Sequence, residues 1–447
     1  MDRCIRKEIS MITQILDLHT HSKYSRACSK YLELPVIAET CETRGIDIVS
    51  ASDITHPRWF AHMKEWLVES SPGIYQLSEE KYTQRPDFNG HVPQTKFILS
   101  TEIACIKKHK DKTRRIHVLV FCPTLEIVEK LNTRLTNDGF NLHSDGRPIL
   151  GMTVKTLLEY IKQIDERCHL IPAHAWTPWF GIFGSKGGYD SLEEAFDELA
   201  PEIFAIETGL SSDPLMNWHL SMLDNITLIS NSDAHSPAKL GREANMMQFE
   251  SEEKITYDEI FDVLKMQDKS RFLRTIEFYP EEGKYHMDGH RDCGISFHPD
   301  ETATHKGICP KCKKPLVIGV MNRVIELSDR TEEEAKEHGK SRIPYTSLVP
   351  LVEIIANTVQ KGWATKTVQA IYNTMITSLG NEFHILLDVS LEDIEKATTK
   401  QIATAIDRVR KGNIVIKPGY DGEFGVVKVF ADDEDRGDVK QEEIPLL

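Results

Sequence analysis

Short apolar runs that end in histidine, aspartate or glutamate recur along the first half of this chain. There are six such segments in order, and each places a polar side chain where a β-like run stops: 17–22, 53–56, 101–103, 116–119, 171–174 and 232–235. In a barrel of alternating strands and helices, the carboxyl ends of the strands meet on one face and build the active site. The series therefore predicts one polar site assembled from many strand ends.

The intervals between these segments have the pattern of helices. Seven strands are predicted, at 15–18, 48–50, 96–99, 115–121, 170–173, 203–207 and 227–230. Amphipathic helices are predicted between them, for example at 34–43, 124–135, 154–164 and 192–199. Alternation at this spacing indicates βα units and a parallel sheet or barrel. Seven strands in a segment of this size favour a closed barrel, so we expect an α/β fold of that kind.

The residue types at the strand ends indicate metal chemistry. His19 and His21 are two residues apart, so in an extended strand both imidazoles point to the same side. Asp233 and His235 repeat this spacing, and a carboxylate such as Glu102 has two oxygens that can bridge two ions. Imidazole and carboxylate together suit Zn, Mn or Fe, and several ions held this way can activate water and bind a phosphate. A single histidine is more often structural, and only the ordered series supports a metal site.

These motifs resemble those of the polymerase-and-histidinol-phosphatase (PHP) family of metal phosphoesterases over about the first 275 residues. The resemblance implies a distorted (βα)7 barrel that holds two or three divalent metals, Zn, Mn or Mg. It assigns one metal to His19, His21, Glu102 and Asp233, and a second to Glu102, His117 and His174. A third would use His235 with a group from the second motif. Asp233, His235 and Glu102 are the expected catalytic residues, with Asp233 or His235 helping to orient the water.

Two departures from the family pattern leave the third metal open. The usual adjacent Asp-His pair is split into Asp53 and His56, and only one of these side chains is expected to reach a metal. The first motif also lacks the downstream histidine of many members and continues as Ser25-Arg26-Ala27-Cys28. Arg26 could instead bind phosphate, because its guanidinium presents a matching fork of donors. The alternative is that Arg26 pairs with a carboxylate.

A second metal site is predicted further along the chain. His290 and Cys293, then Cys309 and Cys312, form two pairs with two-residue gaps, as in a tetrahedral structural Zn site. His286 and His298 compete with His290 as the fourth ligand, and the remaining alternative is a reduced cysteine pair without metal. Several lysines make this segment basic, so it could also bind a phosphate backbone.

The arrangement of the whole chain resembles the endonuclease Q family. We expect a PHP catalytic barrel at 1–275, a zinc-binding module at 276–330, a helical DNA-binding domain at 331–430 and a disordered acidic tail at 431–447. The resemblance implies a DNA-repair endonuclease that cuts 5′ of deaminated bases (hypoxanthine, uracil, xanthine) and of abasic sites. Its products would carry a 3′-hydroxyl and a 5′-phosphate. The rival interpretations are a small-molecule phosphoesterase of the histidinol-phosphatase type and a non-catalytic DNA-binding subunit.

Two loops beside the predicted ligands could contact DNA. The loop after His174 combines Trp176, Trp179 and Lys186 with several glycines, and bases stack on aromatic side chains. Packing of both tryptophans over the barrel mouth explains the same residues equally well. The basic run 107–115, which includes Lys108 and Arg114, lies between Glu102 and His117 and is predicted to be a hairpin tip. Such charge runs are usually only solvated.

Composition limits the remaining possibilities. The net charge of −15 argues against a uniformly basic nucleic-acid binder. Of the nine cysteines, those outside the predicted zinc site are scattered singly, as reduced thiols usually are. No apolar run approaches the roughly 20 residues that a membrane span needs, and residues 1–11 carry mixed charge without an apolar signal core. We therefore expect a cytoplasmic, nucleoid-associated monomer whose partners are damaged DNA and other repair proteins.

Overall fold

The computed structural model describes residues 11–110 and 112–431. Strands of the first region are β1 (Ile12–Asp17), β2 (Ile48–Ser50), β3 (Leu67–Ser71), β4 (Ile74–Leu77), β5 (Lys96–Ile98), β6 (Ser100–His109), β7 (Lys112–Phe121), β8 (Ile149–Leu150), β9 (His169–Pro172), β10 (Ala205–Glu207), β11 (Thr227–Ile229), β12 (Ala244–Phe249) and β13 (Phe272–Glu277). All seven strands predicted from the sequence are among them, as β1, β2, β5, β7, β9, β10 and β11.

Helices connect several of these strands and pack against them. They are α1 (Leu34–Arg44), α2 (Pro57–Trp66), α3 (Glu79–Thr83), α4 (Leu125–Asn137), α5 (Val154–Lys162), α6 (Leu192–Phe196), α7 (Pro214–Trp218) and α8 (Tyr257–Lys265). Helix α4 illustrates the local logic, because Thr124 caps it by accepting a hydrogen bond from the Ile127 N–H. Its buried residues fall on one face at helical spacing: Ile127, Val128, Leu131 and Leu135. The predicted α/β fold is confirmed.

The expectation of a closed barrel needs correction. Within the described residues, β1, β2 and β5 belong to an eight-stranded sheet, β7 and β9 to a four-stranded sheet, and β10 and β11 to a separate pair. Isolated hydrogen bonds instead of continuous ladders cross the gaps between them, for example Cys122 N–H to Leu99 O (3.1 Å), Ala175 N–H to Glu207 O (2.9 Å) and Leu18 N–H to Asn231 Oδ1 (2.8 Å). Beyond the ends of β9 and β11, His174 and Asp233 adopt positive φ angles of 30° and 46°, which extended strands do not have.

The three sheets nevertheless share one interior. Its buried core takes Leu16 from β1, Ile48 from β2, Leu119 from β7, Ile171 from β9 and Ile229 from β11. A second, larger cluster fills the space between the outer strand faces and the helices. The polar strand ends described below therefore stand on a packed apolar base, which holds them in place.

The second region is small and contains little regular structure. It includes β14 (Asp288–His290), β15 (Ile295–Phe297), α9 (Pro299–Thr304) and α10 (Val320–Leu327). Strands β14 and β15 form an antiparallel pair. Arg323 of α10 ties this region to the first one, because its guanidinium donates to the carbonyls of Phe183 and Tyr189.

The last region is mainly helical. Its elements are α11 (Glu332–Gly339), β16 (Tyr345–Ser347), α12 (Leu351–Thr358), α13 (Lys366–Leu379), α14 (Glu382–Leu387), α15 (Leu391–Ala397), α16 (Lys400–Arg410), β17 (Val415–Lys417) and β18 (Val426–Lys428). Strand β16 pairs with β13 of the large sheet, and Gly339 packs directly against Trp218. Residues 331–347 thus pack with the first region, and we propose that the helical domain begins near residue 350.

The acidic tail predicted at 431–447 lies, apart from Ala431, outside the described residues. None of the described helices combines the length and apolar character needed to cross a membrane.

Candidate active site

Four side chains from three strand ends converge in the first cluster. His19 and His21 follow β1, Glu102 lies in β6, and Asp233 follows β11. Their donor atoms all lie within 4.8 Å of one another. His21 Nε2 is 2.8 Å from Asp233 Oδ1, and His19 Nε2 is 3.6 Å from the same oxygen. The structure thus brings together the set that the sequence assigned to the first metal.

A second cluster shares one residue with the first. Glu102, His117 and His174 place their donor atoms within 4.8 Å of one another. Glu102 Oε1 contacts His117 Nδ1 and lies 3.0 Å from His174 Nε2. The other oxygen, Oε2, is 3.5 Å from His21 Nε2 and 3.8 Å from His19 Nε2. A single buried carboxylate therefore faces both clusters, which is the geometry of a bridging ligand.

The chemistry of these donors fits divalent cations. His19 Nε2 and Glu102 Oε2 are buried, point into the site and have no hydrogen-bond partner among the described residues. Burial would raise the pKa of Glu102, but the neighbouring His117 and His174 hold it well below its usual range. Burial would likewise raise the pKa of Asp233, which His19 and His21 lower instead. A metal ion would be stabilised by ionised carboxylates and would satisfy buried ligand atoms that lack a hydrogen-bond partner.

Groups behind the ligands fix the orientation of the imidazoles. His19 Nδ1 lies 3.0 Å from Glu207 Oε1, and Glu207 also accepts the His174 backbone N–H at 2.7 Å. His174 Nδ1 lies 2.8 Å from the Thr177 hydroxyl. Such partners set which ring nitrogen faces the metal and raise its basicity. Glu207 was not assigned from the sequence, although its place at the end of a predicted strand carried the same signal as the assigned ligands.

Asp53 and His56 do not join either cluster, which corrects their assignment as metal ligands. Asp53 Oδ2 accepts hydrogen bonds from the Ser22 N–H (2.7 Å), the Ser22 hydroxyl (2.6 Å) and the Ser25 hydroxyl (2.8 Å). Its Oδ1 lies 3.4 Å from His21 Nδ1, so Asp53 orients His21. His56 is buried and stacks on the Tyr24 ring at 4.3 Å. Neither residue of the second motif lies in a ligand cluster among the described residues, so this geometry does not support a third metal there.

His235 is also engaged by protein groups. Its Nδ1 lies 2.8 Å from the Asp233 carbonyl oxygen, to which it donates when that nitrogen carries the proton. Its Nε2 is then an acceptor and lies 3.4 Å from Nη1 of Arg147. Nη1 of Arg147 is also 3.7 Å from Glu102 Oε2. Arg147 was not singled out from the sequence, since an isolated arginine in a loop carries no distinguishing pattern.

The predicted DNA contacts divide into buried and exposed groups. Arg114 is buried, contacts the Gly188 carbonyl oxygen and pairs with Glu194 at 2.6 Å, so it is not available to a phosphate. Trp176 is also buried and donates its Nε1–H to Asn217, which removes it as a stacking surface. Both assignments are corrected.

The other three predicted DNA contacts remain at the surface. Lys108 and Lys186 are exposed. The Arg26 side chain is 74% exposed and lies 3.5 Å from Asp145, so the pairing anticipated as an alternative is present but leaves the guanidinium accessible. These three residues remain candidates for backbone contacts.

The loop after His174 forms one wall of a cavity beside the second cluster. The cavity has a volume of about 250 Å³, and Thr177 and Trp179 line one side of it. Trp179 is 48% exposed and meets Tyr285 edge to face at 5.7 Å. The next residue, Phe180, packs on the His117 ring at 4.2 Å. The loop thus joins both metal-ligand histidines to an aromatic cavity.

The predicted zinc ligands also come together. His290, Cys293, Cys309 and Cys312 place their donor atoms within 4.8 Å of one another, at the turn that joins β14 to β15 and at the facing cysteine turn. His286, a competing candidate, is buried away from this group, and burial lowers its pKa to about 4. His298, the other candidate, lies at the start of α9 outside the group. The four residues fit a tetrahedral Zn site.

Comparisons with known proteins identify relatives over the whole chain. The family model of the MJ0043 C-terminal domain matches residues 350–413. The uncharacterized protein MJ0043 of Methanocaldococcus jannaschii is 34% identical over 256 residues, which cover 57% of this chain and 31% of that protein. The chain therefore spans less than a third of that relative's length.

Two solved structures match nearly end to end. The lesion-specific endonuclease PfuEndoQ from Pyrococcus furiosus superposes with a TM-score of 0.79 at 30% identity and covers 95% of this chain and 98% of its own. Endonuclease Q in complex with a 27-mer duplex substrate, with an abasic lesion at the active site, gives a TM-score of 0.77 at 31% identity. That match covers 95% of this chain and all of the other. On this identity and coverage, the chain belongs to the endonuclease Q family.

Proposed function

We propose that this chain is a metal-dependent DNA-repair endonuclease that cuts the backbone beside a damaged nucleotide. The observation that carries the proposal is the position of Glu102, whose two oxygens face two separate sets of imidazole donors. Two adjacent cation sites suit phosphodiester hydrolysis, because divalent ions acidify water and stabilise charge on phosphate oxygens. One solved relative is a lesion-specific endonuclease, and another holds a duplex with an abasic lesion at its active site.

The residues of the chain divide the remaining work. His19, His21 and Asp233 would hold one ion, His117 and His174 the other, and Glu102 both. Asp233 also lies beside His21 and is 24% exposed, so its carboxylate can accept a hydrogen bond from the attacking water. Glu207 and Asp53 keep the imidazoles in position from behind. The ligands and the groups that orient them are thus already in position around the phosphate before the reaction begins.

The cavity beside His174 suggests how damage is selected. We propose that it takes a base swung out of the duplex, stacked on Trp179 with Tyr285 opposite. Flipping requires least energy for a weakly paired base, so damaged positions are sampled more often than intact ones. As the resemblance to the endonuclease Q family implies, we propose hypoxanthine, uracil, xanthine and abasic sites as substrates, with the cut on the 5′ side of the lesion.

The cavity also weighs against the main rival, a small-molecule phosphoesterase of the histidinol-phosphatase type. Its far wall comes from Lys284 and Tyr285, at the entrance to the zinc module. A small phosphate monoester needs neither that module nor the helical domain that follows it. The two complete donor clusters weigh against a non-catalytic DNA-binding subunit.

The direct experiment uses matched duplexes that differ at one base. With Mg²⁺, Mn²⁺ or Zn²⁺ added, the protein should nick the hypoxanthine strand 5′ of the lesion and leave the adenine duplex nearly uncut. Equal cutting of both duplexes would contradict lesion selection. No cutting of either, together with rapid hydrolysis of a phosphate monoester, would favour the small-molecule enzyme.

The base cavity has its own test. Replacing Trp179 by alanine should slow cutting at hypoxanthine by roughly 5- to 150-fold, because base stacking contributes about 1–3 kcal/mol. Cutting at an abasic site should change much less, since that site has no base to stack. Phe88→Ala is the matched control, because Phe88 is a partly exposed aromatic before the start of β5, at the strand end away from Glu102. Equal slowing on both substrates would contradict the assigned cavity.

A further inference from the structure

Arg147 enters the metal site from a loop that is clamped in place. Its backbone N–H donates to Asp145 Oδ1 at 3.2 Å, and the Arg26 N–H donates to the same oxygen at 3.1 Å. Nη2 of Arg147 donates to the Arg26 carbonyl oxygen at 3.0 Å. Gly146 leaves no room for a side chain, because an added Cβ would lie 2.4 Å from Asp53 and the Ser25 hydroxyl. The loop is thus locked onto the first and second motifs.

The Arg147 guanidinium lies at the position where a third cation would bind. His235 Nε2, the nitrogen that would bind that ion, faces Arg147 Nη1 at 3.4 Å instead. Neither Asp53 nor His56 lies in a ligand cluster, and Asp53 Oδ2 already accepts three hydrogen bonds from Ser22 and Ser25. Arg147 also lies 3.7 Å from Glu102 Oε2, on the side of the first cluster. A fixed positive charge therefore lies beside the two-metal site at this position.

We propose that Arg147 replaces a third metal ion and binds a non-bridging oxygen of the scissile phosphate. This inference rests on the proposed endonuclease function. The Arg147 side chain is 20% exposed, so part of the guanidinium reaches the open side of the site. A guanidinium has five N–H donors, and the contacts to His235 and the Arg26 carbonyl leave others for a ligand. Arginine suits this role because it stays charged and its planar fork matches phosphate.

The role can be separated from simple packing by three variants. Arg147→Met keeps the length of the side chain and removes its charge, and Arg147→Lys restores the charge without the fork. Arg167→Met is the control, since Arg167 is half-exposed, precedes β9 at the end opposite His174 and pairs with Asp165. Single-turnover cutting of an abasic duplex with Mn²⁺, binding of that duplex, and metal content by mass spectrometry are measured for each.

We expect the wild-type holoprotein to hold two ions in the barrel besides the zinc of the module, and Arg147→Met to hold the same number. Its cutting step should slow by about 100- to 1,000-fold, as when a donor to a developing anion is removed. DNA binding should weaken far less, and Arg147→Lys should recover part of the rate. Arg167→Met should match the wild type in all three measurements.

Distinct outcomes would overturn the inference and the function. A third barrel metal in the wild type, or normal cutting by Arg147→Met, would overturn the inference while leaving the endonuclease intact. An equal loss in DNA binding and cutting by Arg147→Met would also overturn it, since that is the result of general phosphate attraction. Failure of the wild type to cut any lesion duplex would instead overturn the proposed function. If Arg147→Met does not fold, two other measurements test the inference: the number of metal ions in the wild type and the cutting rate of Arg147→Lys. We expect that rate to lie below the wild-type rate.

Discussion

The two groups of proposed metal ligands in this chain, one in the barrel and one in the zinc module, are built in opposite ways. The barrel site draws its ligands from positions 19 to 233, and they are held by the ends of several strands and by neighbouring polar groups. The zinc site draws all four ligands from positions 290 to 312, on two tight turns with a short strand pair. The barrel ligands are mostly buried, whereas Cys312 is exposed and His290 and Cys293 are half-buried.

The two sites therefore differ in whether folding or metal binding forms them. A barrel site exists only after the sheets have packed on their common core, so it can be rigid and preorganised before metal binds. A site on two turns has little core beneath it, and the metal itself supplies folding energy. Loss of metal should therefore disable the barrel without unfolding it, and should unfold the module.

The largest effect is expected for Asp233→Asn. This change removes a charged barrel ligand without changing its shape, so cutting of lesion DNA should fall by more than about 100-fold, beyond the loss typical of groups that only orient a ligand. The melting temperature and the zinc of the module should be unchanged. Asp258→Asn is the control, because Asp258 is an exposed aspartate on α8. Full activity of Asp233→Asn would contradict the assignment of the barrel site as the catalytic site.

A smaller loss is expected for Glu207→Gln. Glu207 orients His19 and holds the His174 backbone without touching the metal position. Loss of its charge should reduce metal affinity or activity by about 10- to 100-fold, and added Mn²⁺ should restore part of it. Titration of activity against Mn²⁺ measures this. An irreversible loss as large as that of Asp233→Asn would mean that Glu207 is a ligand in its own right.

The zinc module should respond in stability more than in rate. Cys309→Ser should lose one tightly bound Zn and make residues 285–320 sensitive to protease, since structural zinc stabilises such folds directly. Cutting should fall less than in Glu207→Gln, through disturbance of the cavity wall at Tyr285. The zinc content and the proteolytic fragments are the measurements. An unchanged zinc content would contradict the four-ligand site, and unfolding of the barrel would contradict the separation of the two regions.

The smallest effect is expected for Glu277→Gln, deep in the barrel. Burial raises the pKa of Glu277 from 4.5 to about 8, with a contribution from nearby Asp213. The folded state thus binds a proton that the unfolded state releases between these values, so this group lowers stability as pH rises from about 4.5 to 8. The variant should be more stable than wild type at pH 9, by on the order of 1–3 kcal/mol, and the gap should close towards pH 4.

Chemical unfolding at several pH values tests this prediction. A variant less stable than wild type at pH 9 would show that Glu277 is ionised and favourably hydrogen-bonded in the fold.

Much of the fold and of the two ligand sets could be predicted from the sequence. The strand ends were visible because each chemical group follows an apolar run, and the zinc ligands because their spacing is local. The division of the strands among three sheets could not be predicted, since it depends on isolated hydrogen bonds such as that from the Leu18 N–H to Asn231. Burial could not be predicted either. Arg114 and Trp176 are residue types that often contact DNA, but here their side chains bond to Glu194 and Asn217 within the protein.

The remaining errors concern where a side chain points. Asp53 and His56 belong to a motif that resembles a ligand pair, but one turns back to Ser22 and the other stacks on Tyr24. Arg147 was missed for the converse reason, because only the fold brings it to His235. Local pattern predicts which groups are available, and tertiary packing decides which of them meet.

The most direct test of the account is an anomalous-scattering map of crystals grown with Mn²⁺. We predict two manganese peaks, one among His19, His21 and Asp233 and one between His117 and His174, with Glu102 contacting both. A separate zinc peak should lie among His290, Cys293, Cys309 and Cys312. A single barrel peak, or one bound by Asp53 or His56 instead of Glu102, would contradict the two-metal site on which the proposed function depends.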